Sequence, residues 1–330
     1  MKKYAKNVLF LVILGLLIYV PGLFMTSKFM SKNHLANGKN GVHQKLAVEP
    51  KNSLDVIVLG DSESYTSVSP MQLWRDYGFT VYAAGQPGAK LSETKEVLRT
   101  ALKRQNPKVV MLETNSIFRF EIAKNETQNY ISEKAYKKLP LLKEHNAWKS
   151  PFMELRGKTY KGFAISSKVK PYAGGEYMMS TSKRMKLEAD NIETLESIKK
   201  MCEDKGAKFV LYSAPSPKNY NFKKHNALTA LAKNEGVDYI DMNMYVKELD
   251  IDWLKDTRDK GDHLNLAGAI KTTNFMGQYL AENYNLPDRR NDSCAERWNK
   301  LEKQYTHKCN KAESKLDENA KTAFLKLFKD

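Results

Sequence analysis

The chain has 330 residues and a formal net charge of +16, from 54 Lys and Arg against 38 Asp and Glu. Hydrophobic residues make up 42% of it, enough for a sizeable core, which excludes wholesale disorder. The cationic excess favours anionic surroundings. Its basic residues are dispersed and no nucleic-acid motif is present, however, so nucleic acid is disfavoured as a partner.

In chain order, Lys2, Lys3 and Lys6 precede an uncharged run from Val8 to Met25, broken only by Pro21. About 20 apolar residues span a bilayer and signal-peptide cores are shorter, so residues 1–27 read as an uncleaved single-pass membrane anchor. A cleaved signal is the alternative, although no small-x-small site follows the run. Cations on the N-terminal side predict a cytoplasmic N-terminus and an extracytoplasmic body at the cell membrane. Residues 28–51 are polar and aperiodic and read as a linker.

From residue 52 the texture changes. The short apolar run at Asp55–Leu59 and the segments Thr80–Ala84, Val109–Glu113, Lys208–Tyr212 and Asp238–Asp241 read as strands. Between and after them, helical spacing appears at Ser92–Gln105, with Ser92 as N-cap, and at Ile192–Cys202, Asn226–Asn234 and Leu266–Glu282. Strands alternating with helices imply an α/β fold: a three-layer α/β/α sandwich with a mostly parallel sheet over residues 52–290. Residues 116–184 interrupt the alternation. They read as an insertion, either a lid with substrate contacts or a cap over the sheet edge. Residues 291–330 read as a charged, solvated helical extension, or, less simply, as a partner-docking helix.

The three cysteines, Cys202, Cys294 and Cys309, show no CxxC and no zinc spacing, so no metal or cofactor is implied. On one straight helix Cys294 and Cys309 would lie about 22 Å apart. A bridge between them therefore needs a helical hairpin; unpaired thiols fit equally well.

In open parallel sheets functional groups gather at the carboxyl ends of the strands. Four features fall there. Gly60-Asp61-Ser62-Glu63-Ser64 follows the first strand, where a serine in a strand-to-helix turn projects its hydroxyl above the sheet and its own N–H can bind an oxyanion. Gly85 follows the second strand and can offer a main-chain N–H at close range. Asn115 ends the third strand and can donate through its amide. Before the last helix stands His263, with Asp259 four residues and Asp262 one residue upstream. An imidazole next to a carboxylate is what a serine nucleophile needs, as base and as orienting anion. Ser216 and Pro217 follow the fourth strand and read as a plain loop or pocket rim, and His225 reads as structural.

This order of Ser, Gly, Asn and His resembles the SGNH (GDSL-like) hydrolase superfamily over roughly residues 54–286. The resemblance implies a flavodoxin-like sandwich, Ser62 as nucleophile, His263 as base and an oxyanion hole of Ser62, Gly85 and Asn115. The chain departs from the family in reading Glu113-Thr-Asn115-Ser116 where Gly-x-Asn-Asp is usual. It also has Lys260 where the family's Asp stands three residues before His. Asp259 is the favoured third member, with Asp262 the alternative. Gly-Asp-Ser-Glu-Ser, Asp-His-Leu-Asn-x-x-Gly-Ala, Ser213-Ala-Pro-Ser-Pro217 and the N-terminal run resemble the membrane-anchored alginate O-acetylation and lipoteichoic-acid D-alanyl transfer proteins. That resemblance implies an extracytoplasmic O-acyltransferase that works with a membrane-bound O-acyltransferase on an anionic or neutral envelope glycan or teichoic acid. An esterase using the same residues and a non-catalytic scaffold subunit are the alternatives.

Overall fold

The computed structural model describes residues 2–24, 41–119 and 160–327. These fall into two compact units, residues 2–24 with 41–48, and residues 49–119 with 160–327. In the first unit, helix α1 spans Lys2–Phe24 and holds the apolar run up to residue 24. The side chains of Val8, Leu9, Phe10, Leu11 and Leu17 are exposed. Among the described residues, no helix is long and apolar enough to cross a membrane. Helix α2, Gly41–Val48, lies where an irregular linker was expected. Its middle is Gln, Lys, Leu and Ala, all good helix formers. Residues 28–40 of that linker lie outside the described residues.

The second unit is built on five strands: β1 Val56–Leu59, β2 Val81–Ala83, β3 Val109–Glu113, β4 Lys208–Ser213 and β5 Asp238–Asp241. Their spatial order is β2-β1-β3-β4-β5, and every pairing is parallel. A sheet covered on both faces needs strands that are apolar throughout rather than alternating. Val56, Ile57, Val58 and Leu59 are all fully buried, as are Val110, Met111 and Leu112 of β3. Each such side chain contributes about 1.5–3 kcal/mol by leaving water.

Helices α3 Ser64–Ser67 and α4 Pro70–Tyr77 follow β1, α5 Leu91–Leu102 follows β2, α6 Ala189–Glu203 precedes β4, and α7 Phe222–Glu235 precedes β5. Helix α8, Leu266–Asn283, returns after β5, and α9, Ala295–Leu327, follows it. Right-handed crossovers put α5, α6 and α7 on one face, and α4 and α8 on the other. The packing of α5 on α6 and of α4 on α8 agrees with this. A hydrophobic core lies between the sheet and the α4/α8 layer, with Val58, Met111, Tyr212, Leu73, Met276 and Leu280 among its members.

Three sequence expectations shift. Helix α5 begins at Leu91 and is capped from Glu93, whose carboxylate accepts the Lys90 N–H at 3.0 Å, so Ser92 lies inside the first turn and is not the cap. Helix α4 was not foreseen. It starts with Ser69 accepting the Gln72 N–H and Pro70 in its first turn, and ends at left-handed Gly78. The extension α9 is one continuous helix with a buried stripe of Trp298, Tyr305, Cys309, Ala312 and Leu316. It packs on α4 and α8 rather than lying solvated on all sides. Trp298 meets Trp74 of α4 at a centroid distance of 5.2 Å. Without a hairpin Cys294 and Cys309 cannot meet, and all three cysteines are free.

Of the expected insertion, residues 120–159 lie outside the described residues. Residues 160–163 run along the outer edge of β2, where Ala83 N–H donates to Lys161 O. Residues 164–188 have no regular secondary structure. They cross the loop before α8, through Lys170 N–H to Thr257 O, Lys260 N–H to Lys170 O and Leu266 N–H to Ser166 O.

Candidate active site

In this strand order the connection after β1 leads to β2 on one side and the connection after β3 leads to β4 on the other, and such a switch point, here between β1 and β3, opens a crevice at the carboxyl ends. The loops after β1, β2 and β3 and the loop before α8 converge there. The β1 loop turns at Gly60, whose φ is 135° and which has no room for a Cβ beside Glu113. Asp61 then accepts the Glu63 N–H at 2.9 Å. Hydroxyls fasten the short α3: Ser64 Oγ donates to Asp61 O at 2.7 Å, Thr66 Oγ1 to Ser62 O at 2.9 Å, and Ser67 Oγ to Glu63 O at 2.7 Å. Ser62 is left half-buried at the crevice.

His263 arrives from the other end of the domain. Its Nε2 lies 2.6 Å from Ser62 Oγ. Its Nδ1 lies 2.7 Å from Asp259 Oδ2, and its main-chain N–H donates to Asp259 Oδ1 at 2.7 Å. The loop achieves this by turning through left-handed backbone at Lys260, φ 65°, and Gly261, φ 83°. Those two residues fold Asp259 back onto the ring four positions later. Asp262 Oδ1 is 3.6 Å from the same ring nitrogen. Its oxygens are taken by Asn219 Nδ2 at 2.6 Å and Lys218 Nζ at 3.1 Å. Between the two sequence candidates the geometry therefore selects Asp259 as the carboxylate facing the imidazole. Burial works against its ionisation, but the hydrogen bonds from the His263 ring and N–H, with the charges of His263 and Arg258, outweigh that and hold it below the ordinary carboxylate value.

Gly85 and Asn115 border the same crevice. Ala84 and Gln86 donate to Val58 O and Gly60 O, so the intervening Gly85 N–H faces away from that ladder. A Cβ on Gly85 would collide with Ser64 Oγ and crowd the Tyr65 ring. Asn115 Nδ2 donates to Asp61 Oδ2 at 2.9 Å, and its Oδ1 accepts from Lys224 Nζ at 3.1 Å. Ser216 is buried and its hydroxyl donates to Gly261 O at 3.1 Å and to Asp262 O at 3.0 Å, so the β4 loop braces the histidine loop. His225 stands apart from Ser62; its Nδ1 is 2.7 Å from Asp241 Oδ2, which also accepts from Tyr220 OH at 2.9 Å.

Sequence reasoning missed the charged layer under the nucleophile. Asp61, Glu63 and Glu113 are buried and lie close enough to share one ion. Burial first, then the Asp61 charge, pushes Glu63 up to about 8. Burial, then Glu63 and Asp61, raises Glu113 well above the ordinary carboxyl value. Asp61 is paired with Arg119 and Glu63 accepts from Asn219 at 2.6 Å, while Lys224 faces the group. Arg119 and Lys224 thus bring positive charge to this acidic layer. Tyr65 and Arg258 were missed too. The Tyr65 phenol interacts with both Ser62 and Arg258, and burial raises its pKa. The signal for Tyr65 was its place three residues after Ser62, on the first turn beyond the nucleophile.

A Ser–His–Asp constellation at the switch point of an open parallel α/β sheet is the class of site that fold and geometry define. No family model matches the chain, and no curated protein matches it. Among solved structures, a Bacteroides fragilis protein provisionally described as an acylhydrolase aligns with a TM-score of 0.39 at 12% identity, over 73% of this chain and 94% of that one. A likeness at that level does not bear on function.

Proposed function

We propose that the chain is a serine-dependent acyl-ester enzyme that works through an acyl-Ser62 intermediate. One observation carries this reading: Ser62 Oγ, His263 Nε2 and Nδ1, and Asp259 Oδ2 form one chain with links of 2.6 and 2.7 Å. In that arrangement Ser62 Oγ attacks an ester carbonyl while its proton passes to His263 Nε2. The carbonyl oxygen becomes an oxyanion, which the N–H groups of Ser62 and Gly85 and the amide of Asn115 are placed to stabilise. Collapse of this intermediate breaks the ester bond. The departing alkoxide takes the proton from His263, leaving acyl-Ser62. Water or a second hydroxyl, deprotonated by His263, then attacks and releases Ser62. Asp259 keeps the ring in the tautomer that accepts at Nε2 and stabilises the imidazolium.

The physiological acceptor in this proposal is a hydroxyl of a cell-envelope polysaccharide or teichoic acid, and the acyl donor side is a membrane-bound O-acyltransferase. The lysines ahead of the exposed apolar side chains of α1 support a membrane-side location. The strap of residues 164–188 across the histidine loop supports an acceptor channel that limits water.

Turnover of p-nitrophenyl acetate with and without a polyol acceptor tests the reading. Ester cleavage that disappears in Ser62→Ala supports the acyl-enzyme, and acetylated polyol exceeding free acetate supports transfer over hydrolysis. Equal turnover by Ser62→Ala and the natural chain removes the enzyme reading in favour of a scaffold.

A further inference from the structure

Asn115 is held at both ends of its amide by opposite charges. Its Oδ1 accepts from the Lys224 ammonium at 3.1 Å and its Nδ2 donates to the Asp61 carboxylate at 2.9 Å. Reversing the amide would set NH2 against an ammonium and oxygen against a carboxylate, so only one orientation is allowed. Both partners are themselves fixed. Asp61 is fully buried and carries the Arg119 guanidinium as well. Lys224 stands in the first turn of α7, where its N–H donates to Asn221 Oδ1 at 3.1 Å. Its Nζ also donates to Asn219 O at 2.6 Å and sits 4.6 Å above the Phe118 ring. Nothing places Lys224 against Ser62 or His263, so the mechanism above leaves it without a task.

An asparagine amide has two hydrogens on Nδ2. One is spent on Asp61. The other is left with its direction set by a rigid clamp. The cation at Oδ1 also draws electron density from nitrogen toward oxygen, which makes the remaining N–H a stronger donor, while Asp61 fixes the direction of the nitrogen. We propose that Lys224 and Asp61 are positioning residues of the oxyanion hole, clamping the Asn115 amide so that its second N–H is aimed at the developing oxyanion. Preorganised donors of this kind act in the transition state and not in substrate binding. The inference rests on the acyl-Ser62 reading.

The test is a double-mutant cycle in p-nitrophenyl acetate hydrolysis by the full chain, reading kcat and KM separately. Asn115→Ala is expected to lower kcat by roughly 10²-fold with little change in KM, as for loss of one oxyanion donor. Lys224→Met is expected to lower kcat by about tenfold, again at constant KM. The double variant should be no slower than Asn115→Ala, because Lys224 acts only through Asn115. Lys224→Gln, which keeps a neutral donor to Oδ1, should recover part of the loss. Multiplying losses in the double variant, a change confined to KM, or full activity of Lys224→Met would overturn the proposal. Asp61→Asn in the same cycle gives a second arm should Lys224→Met not fold, with the same pattern expected. Ser62→Ala run alongside separates the two levels: residual turnover there removes the acyl-enzyme reading, whereas its loss with an additive Lys224 effect removes only the clamp.

Discussion

Replacing Glu63 by Gln removes a proton that the folded chain holds and the unfolded chain does not. Glu63 is fully buried beside Asp61, and its pKa is pushed from 4.5 to about 8, chiefly by burial and then by the Asp61 charge. Between these two values the folded state binds the proton and the unfolded state has released it. Stability therefore falls as pH rises through that window, and the fall ends once pH exceeds the folded value. At about 1.4 kcal/mol per pKa unit, Glu63 alone lowers stability by roughly 3 kcal/mol at pH 7 relative to pH 4, and by roughly 5 kcal/mol above pH 8. Gln keeps an oxygen for Asn219 Nδ2 and does not titrate. Glu63→Gln should thus match the natural chain near pH 4 and exceed it by a margin that widens toward pH 8. The assay is urea unfolding of the full chain in mild detergent, followed by tryptophan fluorescence at each pH. Parallel stability profiles for the two proteins between pH 4 and 8 would refute the claim that Glu63 is held neutral under the nucleophile.

Three further outcomes follow from the geometry. Asp259→Asn should lower kcat by about 10³- to 10⁴-fold, the scale set by loss of the orienting carboxylate in serine enzymes. Asp262→Asn should cost less than about tenfold, because Asp262 answers to Lys218 and Asn219; steady-state kinetics of both variants decides it, and equal losses would count against Asp259. Trp298→Ala should destabilise the second unit by about 3–5 kcal/mol, since the side chain is fully buried between Trp74 and the Lys161 ammonium, 4.7 Å from its ring. A melting temperature unchanged by Trp298→Ala would mean that α9 contributes nothing to the fold.

The strands were legible because a sheet covered on both faces writes itself as uninterrupted apolar runs, and the stretch of residues 109–112 is one, with Glu113 at its carboxyl end. Helix α4 was obscured by its brevity and by Pro70, although Ser69, Pro70 and Gly78 are ordinary start and stop signals. Helix α9 read as solvated because its charges outnumber its apolar residues; Trp298, Tyr305, Cys309, Ala312 and Leu316 nevertheless recur every three, four or seven residues, the spacing of one buried stripe. At the site, Ser62, Gly85, Asn115 and His263 were legible because each sits at the end of a readable element. The choice between Asp259 and Asp262 was not, since it depends on left-handed backbone at Lys260 and Gly261. The layer of Asp61, Glu63, Glu113, Arg119 and Lys224 was invisible in sequence because it assembles from separated segments.

Incubation with a fluorophosphonate probe, followed by peptide mass mapping, meets the proposed chemistry most directly. A Ser62 activated by His263 should form a single stoichiometric adduct on the peptide containing Ser62, and His263→Ala should abolish it. An unmodified chain, or an adduct on another serine that survives His263→Ala, would contradict the account.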